Sequence, residues 1–433
     1  MIYILPILFT IIFILIIIYF QFFKVDGIKT SIIAGIFILK LLAGIGVYGL
    51  YTYYYDSETA DIYKYYNSGV QIYNSTENNF DDYLRIVTGI QIDMPHIKDR
   101  YFPVGYWSRE YDYGLFVDNK TMIRFHALLC LISQGNIYLH IVIMAFLSFL
   151  GAFALFKALI TINDANRYLL LFAATLIPSA LFWTSGMLKE GLVMFSMGLM
   201  FYYFVKLMNK INFFDLLLFV LFAALLFISK IYILPALVPA LVFLFITKKM
   251  RKRHQIIAFF SVLIFYSVFV LFSSNIIGYD IIRTVAGKQN DFINHANLIE
   301  ENGSTIVLER LKPTAVSIIK NTPTAILNSF LRPYPTEINS VLMFLAFIEN
   351  LFVLCLIVIM IFYFKKFNTQ RFRFVLFSVL IIIVFYTLVG LSTPNIGAIV
   401  RYKVPVLPFL LASIFCLTDF NKINQKWFKK LFP

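Results

Sequence analysis

The sequence predicts an all-α protein, a polytopic transmembrane helix bundle, and three observations carry that expectation. Of 433 residues, 60% are hydrophobic and only 14% are charged, with a mean hydropathy of +0.81, a balance that excludes an ordinary soluble domain. The apolar residues fall in runs close to the roughly 20 residues that cross a hydrocarbon core about 30 Å thick at 1.5 Å per residue. No run alternates with the two-residue period of a barrel strand, and in lipid only helices and closed barrels satisfy their own backbone groups.

Taken in order, this ruler gives about eleven spans, at approximately 1–23, 30–51, 137–160, 168–185, 190–206, 212–229, 231–247, 255–274, 340–364, 374–391 and 404–418. The first run lacks a basic leader and a small-residue cleavage site, so it reads as a retained span. One integral membrane domain over 1–433 follows. Basic residues cluster between spans: Lys24 and Lys29; Lys206 and Lys210; KKMRKRH at 248–254; Lys365, Lys366, Arg371 and Arg373; and Lys422, Lys426, Lys429 and Lys430. With this count all of them lie on one side, and the positive-inside bias makes that side cytoplasmic. The N-terminus is then outside and the C-terminus inside, with two large helical outer loops at about 52–120 and 275–339. The first loop carries eleven acids against six bases, and loops beyond about 15 residues are usually functional or disordered. The net charge of +14 is accounted for by the clusters, which form no long stripe; membrane lipid is an expected partner and nucleic acid is not. Cys130, Cys355 and Cys416 lie in apolar segments without CxxC or Cys/His spacing and read as core thiols. No Walker A, GxGxxG or HExxH pattern occurs, and the five histidines share no metal spacing and read as surface or packing residues.

Four segments could carry chemistry. The first loop opens YTYYYDSETADIYKYYNSG, and in a helix Glu58 and Asp61 would share a face, with Asp56 close by. Carboxylates at the outer rim can deprotonate a hydroxyl or hold a divalent cation, the one cofactor these acids would suit. A solvated acidic loop is the other reading of the same residues. The second loop ends in NSFLRPYPTE, with Arg332 and Glu337 separated by two prolines, and Glu349 and Asn350 follow about ten residues into the next span. Ionisable groups at that depth normally face a bundle interior or a cavity and pair there. STPNIGAIVRYKVPVLPF, between the last two spans, sets Asn395, Arg401 and Lys403 among helix breakers; Arg with Lys suits a phosphate or a lipid headgroup. Last, the apolar run 168–206 is 39 residues, roughly 58 Å as one helix. That is about twice the membrane core, so it must fold back, and the polar point near its middle is SGMLKE. Lys189 and Glu190 are thereby expected at the outer rim, where Lys189 either meets substrate or simply pairs with Glu190.

Asp61 with Tyr65, Tyr66 and Gly69, FWTSGMLKEG, LRPYPTE with its later Glu-Asn, and NIGAIVRYKVPVLPF resemble motifs of polytopic proteins from bacterial surface-polysaccharide clusters. The wider layout resembles the GT-C superfamily of membrane glycosyltransferases and the O-antigen-polymerase-like enzymes. That resemblance implies transfer of a sugar or oligosaccharide from a polyprenyl-phosphate or polyprenyl-diphosphate donor to a glycan or lipid-glycan acceptor, at the outer face of a bacterial inner membrane. It makes Asp61 the catalytic base, supported by Asp56 or Glu58, and Arg401, Lys403, Arg332 and Lys189 the phosphate contacts. Glu190, Glu337, Glu349, Asn350 and Asn395 become supporting residues. Two spans precede the acidic loop here, whereas one does in the mannosyltransferase-like branch. A flippase for a lipid-linked glycan would use the same basic groups without bond making. It should carry polar groups through the full depth, where this chain offers chiefly Lys40 and Glu349.

Overall fold

The computed structural model describes residues 2–55, 60–75, 79–101, 118–298 and 304–423. Their secondary structure is helical, apart from three isolated bridges. Seven helices among them are long and apolar enough to cross a membrane: Thr30–Tyr53, Ile137–Ile162, Lys189–Asn209, Lys252–Leu271, Val341–Phe362, Thr369–Ser392 and Ile396–Leu417. Ile4–Tyr19, Phe213–Ser229 and Ile233–Ile246 are apolar but shorter. The chain is thus an α-helical membrane protein. The described parts of the two segments expected as outer loops contain helices as well, including Asp61–Asn74 and Phe80–Thr88 in the first and Ile281–Leu298 and Ala315–Leu331 in the second, and a further helix, Asn119–Ser133, follows the first.

Two expected spans take another form, each for a reason written in proline chemistry. The run at 168–185 is two short helices, Arg167–Thr175 and Pro178–Trp183. Pro178 has no N–H to give the preceding turn and its ring disfavours helical backbone just before it, so the first helix stops at Leu176. The last span, expected from 404, instead runs as Ile396–Leu417. Pro405 and Pro408 stand in the first turn of their helical segments, where a missing N–H costs nothing, so they do not end the helical run.

The chain groups into two compact units, residues 1–155 with 181–232 and residues 156–180 with 233–433. In the first, aromatic side chains join the N-terminal helices to Ile137–Ile162. Phe13 stacks on Phe146 at 3.9 Å with rings nearly parallel, Phe37 meets Phe146 edge-on at 5.6 Å, and Phe23 stacks on Phe149. Against the same helix, Lys189–Asn209 packs backbone to backbone: a Cβ on Gly198 would lie 1.8 Å from the carbonyl oxygen of Gly151. Small residues are what let membrane helices approach so closely. Gly198→Leu must drive the two backbones apart, and its expected cost is at or above the ~1–3 kcal/mol of ordinary overpacking. Thermal unfolding in micelles checks this against Gly287→Ala, where nothing stands within 4 Å of the added carbon; equal melting temperatures would refute the close contact.

In the second unit, Thr369–Ser392 is the hub, packed by Ala315–Leu331, Ile233–Ile246, Lys252–Leu271, Ile281–Leu298 and Leu407–Leu417. Ser329 donates to the Tyr386 carbonyl at 2.9 Å, and Gly390 lies directly against the Ala325 carbonyl. Lys252–Leu271 and Val341–Phe362 leave most of their apolar side chains uncovered, as expected of helices that face lipid.

Candidate functional site

The polar stretch inside the apolar run 168–206 is a helix break, and buried polar groups fix it. Thr30–Tyr53 sends Lys40, 1% exposed, into a cage of hydroxyls: Thr184 Oγ1 at 2.6 Å, Ser148 Oγ at 2.7 Å and Ser185 Oγ at 3.4 Å. Ser148 also donates to Thr184 at 2.9 Å. The same helix comes close at Gly44, where a Cβ would lie 2.7 Å from the Ser185 carbonyl. The chain therefore leaves the Pro178–Trp183 helix, crosses Thr184–Leu188 under this restraint, and restarts as a helix at Lys189.

Lys189 and Glu190 open that helix and point to different partners. The Lys189 ammonium donates to Asp118 Oδ1 at 2.6 Å and Asn119 Oδ1 at 2.5 Å, and stands 5.5 Å from the centre of the Tyr65 ring. Tyr65 donates to Asn119 Oδ1 at 3.2 Å. Glu190 pairs with Lys230 at 3.1 Å, both side chains at least nine-tenths buried. An acid in a helix's first turn is favoured by the macrodipole, whereas a lysine there is not, and Asp118 offsets that disadvantage. Asp61 starts the Asp61–Asn74 helix one turn before buried Tyr65, close enough for its charge to act on Lys189 together with that of Lys230. Three acids and two bases, drawn from four chain segments, thus form one cluster in the first unit. Asp56 and Glu58 lie outside the described residues.

Sequence reasoning missed Asp118 and Lys230. Lys230 had a signal: it separates the apolar runs 212–229 and 231–247, and span counting puts that junction on the same side as Lys189. Asp118 had none, because the helix it precedes, Asn119–Ser133, was not expected.

The remaining expected site residues belong to the second unit, and most are bound to one another. Glu349 accepts from the Ser179 backbone N–H at 2.7 Å and its hydroxyl at 2.6 Å, capping the short Pro178–Trp183 helix. Asn350 donates to the carbonyls of Leu331 and Arg332 at 3.1 and 2.7 Å and accepts from Lys403 at 2.7 Å. Arg332 pairs with Glu337, donates to Asn328 at 2.9 Å and lies over the Tyr334 ring. Asn395 caps Ile396–Tyr402 through the Ala398 N–H and donates to Ser304 at 2.7 Å. Arg401 is half-buried in the last turn of that helix. The arginine and lysine expected in an open break are thus part of a helical segment, with Lys403 only 2% exposed.

A second buried polar group in the first unit lies at the far end of Asn119–Ser133. The rings of His126 and His140, both fully buried, stack 5.1 Å apart at 7°. Their Nδ1 atoms are 2.8 Å apart, and His140 Nε2 meets Ser133 Oγ at 2.7 Å. Burial first, and His140 second, push His126 well below the usual imidazole value. His126 Nε2 meets no partner among the described residues, so a second proton there would be buried unpaired. A histidine whose folded pKa is depressed contributes nothing when both states are neutral. Below about pH 6.5 the unfolded chain takes up a proton that the fold refuses, and stability falls by up to ~1.4 kcal/mol per pH unit. Melting temperature should therefore decline between pH 6.5 and 5, and less steeply in His126→Leu; parallel slopes would contradict this account.

Among the described residues no three His, Cys, Asp or Glu side chains are grouped as a metal ion would need. No protein-family model, curated protein or solved structure matches the chain.

Proposed function

We propose that this chain is a membrane glycosyltransferase or polysaccharide polymerase acting at the outer face of a bacterial inner membrane. In this reading the N-terminus is outside, about eleven segments lie in the membrane, and the donor is a sugar or oligosaccharide on a polyprenyl phosphate or diphosphate. The observation that carries it is the charged cluster of the first unit: a carboxylate, Asp61, near enough for its charge to act on Lys189, with Lys189 and Lys230 each held in place by another acid. An acceptor hydroxyl attacks the anomeric carbon while Asp61 takes its proton. The bond from that carbon to the lipid phosphate breaks with its electrons on the phosphate oxygen, whose new charge develops near Lys189 and Lys230. Fixed cations in a water-poor setting stabilise such charge far better than water does. Asp118, by sharing Lys189, keeps that ammonium in position before substrate arrives.

Purified protein incubated with a panel of polyprenyl-mono- and diphosphate-linked sugars tests the proposal through release of lipid phosphate and formation of glycan product. One specific observation favours a flippase instead: Lys40 places a buried amine within the Thr30–Tyr53 helix, at membrane depth. Movement of a lipid-linked glycan across proteoliposomes, with no bond broken on any donor of the panel, would decide for that reading.

A further inference from the structure

Two loops of the second unit, far apart in sequence, meet at one end of it. Residues 247–251 join Ile233–Ile246 to Lys252–Leu271, and residues 363–368 join Val341–Phe362 to Thr369–Ser392. Lys252 donates to the Phe367 carbonyl at 2.6 Å, and Arg373 donates to the Lys248 carbonyl at 3.0 Å. Fully buried Gln255 donates to the Met250 carbonyl at 2.9 Å and the Thr369 carbonyl at 3.4 Å. These bonds use main-chain acceptors, so they gather cations without neutralising them. Arg371 pairs with an acid, Asp164, whose charge Lys365 also feels. Lys249, Arg251, Arg253 and Lys366 are exposed and make no ion pair among the described residues.

Local electrostatics add to this concentration of positive charge. Both Lys252–Leu271 and Thr369–Ser392 begin here, and neither has an acid in its first turn. Their positive dipole ends therefore face the same place as the cations, an unfavourable arrangement that an anion would relieve. The apolar side chains next to the patch identify the kind of anion. Phe245, Ile246, Ile256, Ile257, Phe260 and Phe364 are all exposed; three of them lie on Lys252–Leu271, which is long and apolar enough for a membrane, and two on the shorter apolar helix Ile233–Ile246. A cationic surface continued by an uncovered apolar one fits a headgroup with acyl chains attached. A soluble anion would use only the first part, and an acidic soluble protein would leave the second part without a counterpart.

We infer that residues 247–254 and 363–373 form a binding site for the headgroup of an anionic phospholipid, with its acyl chains lying along Lys252–Leu271. Nothing in this inference depends on glycosyl transfer. The test uses the full chain in micelles, with phosphatidylglycerol, phosphatidylcholine or inorganic phosphate added in turn, read by melting temperature and by lipid retained in native mass spectrometry. Wild type should be stabilised by phosphatidylglycerol alone, and the effect should weaken in salt. Lys249→Gln/Arg251→Gln/Arg253→Gln should hold that lipid on the order of a hundredfold more weakly, with an unchanged melting temperature in phosphatidylcholine showing that it folds. Equal stabilisation by inorganic phosphate would make this a soluble-anion site and overturn the inference. Equal retention of phosphatidylglycerol by wild type and variant would overturn it as well, and would turn attention to an acidic protein partner.

Discussion

Replacing Glu190 by methionine is expected to lower stability by about 3–5 kcal/mol, the usual cost of removing one member of a buried ion pair. The Glu190 and Lys230 side chains are 4% and 7% exposed, so the lysine left behind has little water in place of the carboxylate it loses. Lys230→Met should cost a similar amount, because the buried carboxylate then loses the ammonium 3.1 Å away. The double replacement should recover most of the loss and can exceed wild type, since two apolar side chains avoid the desolvation that the pair itself bears. Unfolding of the four proteins in micelles gives the coupling directly. The exposed pair Lys320–Glu309, with side chains 67% and 63% exposed, is the internal comparison, at about 0–1 kcal/mol. If Glu190→Met and a Glu309 replacement proved equally mild, the pair would not be desolvated and the cluster would lose its claim to a water-poor setting.

The difference between those two pairs also marks what was legible in the sequence. Helices were legible because apolar run length is a one-dimensional quantity, and the break at Thr184–Leu188 followed from the same arithmetic. Identity of partners was not. Lys189 and Glu190 are neighbours and invite the reading that they pair, but consecutive helix residues lie about 100° apart, and each reaches a different segment. By residue type, Arg332, Lys403 and Arg401 read together as phosphate contacts. Arg332 and Lys403 are bonded to Glu337, Asn328 and Asn350, partners that residue type alone does not identify. Two prolines hid the last point: Pro405 and Pro408 read as breaks, yet in a first helical turn the same residue is accommodated. His126 and His140 carried no spacing signal at all, and only the packing of their two helices makes them a stacked pair.

Asp61→Asn is expected to reduce transfer by roughly 10²–10⁴-fold, the contribution a positioned general base makes, while leaving substrate binding and melting temperature close to wild type. The separation of these effects rests on geometry. Asp61 is the first residue of its helix, so asparagine keeps both the size and a carbonyl oxygen at a position where uncapped helix N–H groups want an acceptor. What asparagine lacks is a site for the acceptor's proton. Lys189→Gln provides the contrast, for it withdraws charge from the leaving phosphate and also strands Asp118, so that variant should lose stability together with turnover. A pH–rate profile sharpens the assignment: an acid limb present in wild type should vanish in Asp61→Asn, since deprotonating the base is what that limb reports. A variant within threefold of wild type would remove Asp61 from the chemistry. A variant whose activity fell only in step with its melting temperature would make the acid a brace for Lys189, and the same cluster would then be a structural knot at the foot of a membrane helix.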